Sequence, residues 1–222
     1  MEAVDRAGQA NSTGWIYGTD HGEYLGDYGL VEKWPSGMDP QLTQNPLIIS
    51  LPDRPEGAVS DEMVETIDLL PTMLELAGGE PSHSHFGKSL LGVLDDTGSG
   101  PHREAAFSEG GFRTDDVDLL ERSAWIYEPK GRLQHERPDL VGKVSCVRTK
   151  EWSFVHRLYE GDELYDRIAD PYETTNLIDD SAHDSIVAEM RGRIADWYLE
   201  TTDVIPWEAN PRFPDIEHGY RP

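Results

Sequence analysis

Apolar residues along this 222-residue chain come in short runs separated by polar stretches, and the spacing within each run assigns an element. Met1 to Ala7 reads as a short helix stopped at Gly8. Trp15, Ile16 and Tyr17 form an unbroken aromatic and apolar run ending at Gly18, and Pro46 to Leu51 forms a second; both read as buried strands of a parallel sheet. Helical spacing takes over from Val59 to Leu76, where Ile67, Leu70, Leu74 and Ala77 share one face expected in the core and Gly78-Gly79 is the stop. Asp95 to Gly100 reads as a linker, Ala105 to Phe107 as a strand returning to the sheet, and residues 111–143 as an irregular surface loop over the site. Val141 to Thr149, Trp152 to Leu158 and Glu163 to Tyr165 alternate as three antiparallel strands, with Gly161-Asp162 turning the second into the third. Asp170-Pro171 breaks the chain, and Ile186 to Leu199 has the spacing of a helix packed on that small sheet.

Chemistry concentrates just after the first strand, in Thr19-Asp20-His21-Gly22-Glu23, with Lys33 thirteen residues after Asp20. In open α/β sheets the carboxyl ends of strands are where loops carry side chains to ligands. Asp20 and His21 are candidate ligands of a divalent metal there, and Lys33 is a mobile cation for an anionic substrate. Gly18, Gly22, Gly26 and Gly29 let the backbone fold closely around them. Read as an isolated tripeptide, Asp-His-Gly equally describes a turn with His in solvent. Ser82-His83-Ser84-His85 offers two further histidines, in a loop expected to lie in solvent.

The surroundings decide between these readings. The run from Asp20 through Gly22-Glu23, Leu25-Gly26-Asp27 and Gly29-Leu30 to Lys33 resembles the sulfatase family, whose members carry D-H-G-E-x-L-G-D-H-G-L followed at this spacing by Lys. Further segments agree in order: Asn45 to Ile49, Thr66 to Gly78, Gly87 to Leu91, and Glu163-Leu164-Tyr165-Asp166 with Asp170-Pro171-Tyr172-Glu173-Thr174-Thr175-Asn176-Leu177. The last is similar to the family's E-L-Y-D-x-x-x-D-P-x-E-x-x-N-L. One departure is Gln44-Asn45, where sulfatases usually place Arg-Val.

The resemblance implies a fold and a division of labour. The fold is α/β: the C-terminal part of an alkaline-phosphatase-like, mostly parallel sheet flanked by helices, plus a small antiparallel sheet with a C-terminal helix. Residues 1–110 would belong to the catalytic domain, 111–143 to a loop region, 144–205 to the small subdomain and 206–222 to a tail. The activity implied is metal-dependent hydrolysis of a sulfate ester of a small molecule or glycan. Asp20 and His21 would ligate the metal, Lys33 would hold the sulfate, and Glu23 and Asp27 would orient the loop. Calcium is the family's usual ion and suits Asp20; His21 suits softer metals, so zinc and manganese stay open. Sulfatases use a Cys or Ser in a C-x-P-S-R motif, converted to formylglycine, as nucleophile, and no residue here fits. Cys146 has Arg148 at +2 in an alternating stretch that reads as a buried strand, so an inert thiol is expected. The expectation is therefore the C-terminal part of a longer enzyme, inactive without an upstream half that brings the nucleophile and further ligands. Phosphonate or phosphate ester hydrolysis, and non-catalytic binding by a free-standing chain, are the alternatives.

Composition narrows the partners. The net charge is -24, from 43 acidic against 19 basic side chains, which repels nucleic acid. The sequence shows no apolar stretch long enough for a membrane span and no signal-peptide pattern at its start, from which a cytoplasmic location is expected. The single cysteine excludes an internal disulfide. The acidic excess is spread along the chain, as in proteins of salt-loving hosts, where a Debye length of about 3 Å at molar salt screens self-repulsion. Far-UV circular dichroism is expected to lose native ellipticity between molar and about 0.01 M KCl; an unchanged spectrum would contradict the halophilic reading.

Overall fold

The computed structural model describes residues 2–52, 54, 57–95, 101–120 and 125–203. Its centre is an antiparallel sheet of four strands in sequential order, β3 (Ala106–Gly110), β4 (Val144–Arg148), β5 (Trp152–Arg157) and β6 (Glu163–Asp166). Pairing runs Ser108 to Cys146, Cys146 to Val155 and Phe154 to Leu164. Because side chains alternate across a strand, Val147, Phe154 and Leu164 point to one face. There they meet Val187, Met190 and Ile194, one stripe of the helix α6 (Asp184–Thr201). Phe107 stacks on Trp197 of that helix with ring centroids 5.0 Å apart.

The opposite face carries Val144, Cys146 and Val155, and it is covered by Met38 from the segment that follows Lys33. Arg148 and Arg157 project from the same face. Arg157 donates to the Ser36 carbonyl at 2.9 Å. Arg148 donates to the Met38 carbonyl, to Thr43 Oγ1 at 2.8 Å, and through Nε and a terminal nitrogen to both oxygens of Glu173 at 3.2 and 3.0 Å. Burial alone would lower the Arg148 pKa, but the surrounding Cys146 and Glu173 raise it, so it stays a cation. Cys146 is buried and its thiol is pushed up by that burial, as expected of an inert cysteine.

The family-like segment at 163–177 is a staple. Asn176 Oδ1 accepts from the Leu164 and Ile178 amides at 3.0 Å, and Asp170 Oδ2 accepts from the Thr174 and Thr175 amides at 2.7 and 2.8 Å. Glu173, at a positive φ of 52°, is thereby aimed at Arg148.

Several expectations from the sequence are corrected. β1 (Trp15–Gly18) and β2 (Leu47–Ser50) form where expected, but they pair antiparallel with each other, Trp15 opposite Ser50. No residue of β1 is buried: Trp15 and Ile16 are over a third exposed and Tyr17 is 64% exposed. Ala106 begins a strand of the antiparallel sheet and does not return to β1 and β2. The helix foreseen from Val59 is only α3 (Leu69–Leu76), entered through a turn at Thr66–Asp68 that Glu65 and Asp68 cap reciprocally. Of its supposed core face, Ile67 and Ala77 are exposed. The buried residues are instead Asp68 and Thr72. Asp68 accepts from the Lys88 amide at 2.7 Å, the Glu65 amide at 3.0 Å and Arg103 Nε at 2.9 Å, and lies 3.2 Å from His102 Nε2. Thr72 Oγ1 donates to the Asp68 carbonyl and accepts from the Leu90 amide at 2.9 Å.

The short helices α1 (Glu2–Arg6), α2 (Pro40–Thr43) and α4 (Leu91–Leu94) connect these parts. Residues 111–143 are not wholly irregular, since they hold α5 (Glu128–Glu136) among short 3-10 turns. Most of the Asp95 to Gly100 linker and the tail from 206 lie outside the described residues. No helix among the described residues is long and apolar enough to cross a membrane.

Removing one partner of a buried ion pair strands the other charge, at a cost of about 3–5 kcal/mol. Arg148→Leu is therefore expected to lower unfolding free energy by about that amount in a urea titration. A loss below about 1 kcal/mol, the worth of an exposed pair, would show that Arg148 does not anchor the fold.

Candidate active site

The loop after β1 is shaped by close approaches. The Gly22 amide donates to the Leu42 carbonyl at 2.9 Å, and a Cβ at residue 22 would sit 1.8 Å from the Gln41 carbonyl oxygen, so only glycine fits. Tyr24 is buried, and its hydroxyl donates to Asp39; burial, then that carboxylate, pushes its pKa up. Tyr28 donates to the Tyr172 carbonyl. These tyrosines, rather than Glu23 and Asp27, tie the loop down. Leu25, Tyr28 and Glu32 all have positive φ without being glycine, a concentration of backbone strain in eight residues beside the candidate chemistry.

Asp20, His21 and Lys33 come together. His21 Nδ1 lies 2.8 Å from the Gly22 carbonyl oxygen. A carbonyl only accepts, so Nδ1 carries the proton and the Nε2 lone pair is free. Lys33 Nζ donates to that Nε2 at 2.9 Å, and Asp20 Oδ2 is 3.6 Å from it. Asp20 Oδ1 accepts from the His21 amide at 3.1 Å and from Thr19 Oγ1 at 3.3 Å. The Asp20 side chain is 85% exposed and that of His21 38%, and Lys33 is exposed, so solvent reaches all three groups.

One contributor was not foreseen. Asn45 Nδ2 donates to the Asp20 carbonyl at 3.3 Å, so the residue at this departure from Arg-Val touches the site's backbone. The signal available in the sequence was an Asn placed immediately before the Pro46 that opens a strand.

The donor set fits a divalent ion in part. A histidine whose Nδ1–H is fixed by a carbonyl presents Nε2 as metal-ligating imidazoles do, and Asp20 adds a charged oxygen. Among the described residues no group of three or more His, Cys, Asp and Glu side chains converges. Any ion held here therefore needs donors beyond these two. His83 is exposed and His85 half-buried, and they join no such group.

Known proteins share the sequence pattern and the fold of this chain. Residues 1–79 match the family model described as Sulfatase. Over 96% of its length the chain is 30% identical to the uncharacterized sulfatase YidJ of Escherichia coli K12, covering 41% of that protein. It superposes on a 2-O GAG sulfatase with a TM-score of 0.72 at 25% identity, over 95% of this chain and 42% of that one. On the phosphonate monoester hydrolase of Silicibacter pomeroyi the TM-score is 0.71 at 24% identity, over 90% and 37%. The chain thus spans about two-fifths of the length of these relatives. The chain is thus similar to sulfatases over most of its length, with residues 1–79 matching their family model and an alkaline-phosphatase-like α/β fold.

Proposed function

We propose that this chain carries the metal-binding and sulfate-holding pole of a metal-dependent sulfuric ester hydrolase. The observation that carries the reading is the convergence of Lys33 Nζ on His21 Nε2 at 2.9 Å beside the Asp20 carboxylate. Asp20 and His21 hold the cation, with Asn45 fixing the Asp20 backbone. The ion proposed is calcium, which the carboxylate suits; zinc and manganese are the alternatives that the imidazole keeps open. When bound, the ion neutralises sulfate oxygens and acidifies the attacking group. Lys33 then turns from His21 to the substrate, donating to the sulfate and steadying the leaving oxygen as the ester bond breaks. The nucleophile and remaining ligands come from an upstream half of the same enzyme, because no C-x-P-S-R stands in this sequence. The substrate is a sulfate ester of a small molecule or glycan, in line with the GAG sulfatase likeness.

A second reading keeps the site and exchanges sulfate for a phosphonate monoester. The fold admits it, being shared with the Silicibacter enzyme, and the test below separates the two.

The test is hydrolysis of 4-nitrophenyl sulfate and of the 4-nitrophenyl ester of phenylphosphonate by this chain joined to its upstream coding sequence. Sulfate ester turnover is expected, abolished by a chelator, and Lys33→Ala is expected to lower kcat by about 10²–10³, the effect of losing one preorganised donor. Faster phosphonate turnover would favour the second reading. Turnover indifferent to Lys33→Ala would overturn the role of the lysine.

A further inference from the structure

Three consecutive residues, Glu32, Lys33 and Trp34, are gripped from a part of the chain nearly a hundred positions away. Lys130, in α5, donates through Nζ to the Lys33 carbonyl and pairs with Glu32 Oε2 at 2.8 Å. The same ammonium lies 5.8 Å from the Trp34 ring centroid, within cation–π reach. Trp34 Nε1 in turn donates to the Leu140 carbonyl at 2.7 Å, and Ser36 Oγ donates to the same oxygen at 2.9 Å. The pair is sheltered, the side chains of Lys130 and Glu32 being 21% and 31% exposed. It therefore keeps more of its strength than a surface pair.

The gripped backbone is one that would not hold this shape unaided. Glu32 has a φ of 64°, in the left-handed region, which a residue with a Cβ populates only when its surroundings impose it. Lys33 follows directly. Its carbonyl turns to Lys130 while its side chain turns to His21. A long flexible lysine side chain loses rotamer freedom when it is fixed, and anchoring the Lys33 carbonyl together with the Glu32 side chain before it reduces the volume its ammonium must search.

We propose that Lys130 is a positioning residue for the active site: by clamping Glu32 and the Lys33 carbonyl it sets where the Lys33 ammonium stands. α5 is thereby part of the site's machinery, and any change that moves it changes the lysine that meets the substrate. The placement of Lys33 rests on geometry alone; its consequence for sulfate rests on the function proposed above.

The experiment uses the full chain and four variants, K130M, K130R, E32Q and K33A, each checked for native circular dichroism. Two quantities are read. The first is the rate at which acetic anhydride acylates the Lys33 amine, followed by peptide mass spectrometry with the exposed Lys143 as internal reference. K130M and E32Q are expected to raise Lys33 acylation about two- to tenfold, the range one net hydrogen bond spans, as the amine leaves His21; K130R is expected to stay near wild type because it keeps the cation. If K130M fails to fold, E32Q tests the same clamp from its other end. Unchanged acylation in the folded variants, or an equal rise in K130R, would overturn the proposal. The second quantity is inorganic sulfate affinity by calorimetry. K130M is expected to weaken it, and to weaken it no further in a K33A background. A K130M effect that persists undiminished without Lys33 would show that Lys130 acts elsewhere and would overturn the positioning role. Altered acylation with no sulfate binding by the unmutated chain would uphold the clamp and count against the proposed function.

Discussion

The buried Arg148 guanidinium is the interaction on which the remaining geometry turns. It issues from the end of the inner strand β4, on the face away from α6, and divides its donors among Glu173, the Met38 carbonyl and Thr43. A cation removed from water is tolerated only when its donors are met and its charge is balanced, and here both conditions need three separate chain segments in place. The residues it fixes belong to the turn whose Leu42 carbonyl receives the Gly22 amide. Sheet, C-terminal motif and candidate active site are coupled through one side chain. Glu173, at its positive φ, is useful only because Asp170 and Asn176 hold the staple around it.

A second polar knot does the same for the region between β2 and the sheet. Asp68 is fully buried and gathers Arg103, His102 and the Lys88 and Glu65 amides. Burial alone would raise its pKa, but Arg103 and the amides outweigh that and hold the carboxyl below its usual value. Its stabilising contribution is therefore complete above the unfolded-state value of about 3.9 and declines as pH falls through the lower folded value. The main apolar core lies between the sheet and α6. On the opposite face a smaller apolar cluster around Met38 and the buried charges of Arg148 and Asp68 together specify how the described loops lie.

The sequence was legible where local physics and tertiary structure agree. Alternation from Val144 to Asp166 and the Val187, Met190, Ile194 stripe dictated the sheet and its helix, and Asp20, His21 and Lys33 do meet. It was misleading where a short apolar run admits more than one environment. Trp15 to Tyr17 has the composition of a buried strand, yet its partner runs antiparallel and its side chains stay exposed. Periodicity extended the helix back to Val59 because it cannot see that Glu65 and Asp68 cap a later start, nor that the buried face is Asp68 and Thr72. Long-range polar partners leave little local trace, so Lys130 did not declare itself, Asn45 stood out only as a departure from Arg-Val, and Arg148 drew notice only as a neighbour of Cys146.

The central claim is that Asp20, His21 and Lys33 form one pole for a cation and the anion it attracts, on a chain whose 43 acidic residues offer many weak cation sites. Paramagnetic line broadening tests it most directly: isotope-labelled chain is titrated with substoichiometric Mn²⁺ at molar KCl, where nonspecific attraction is screened. The account predicts that resonances of Asp20, His21 and their loop broaden first, and that Asp20→Ala with His21→Ala abolishes that preference. Broadening spread over the acidic surface, or centred away from His21, would contradict it.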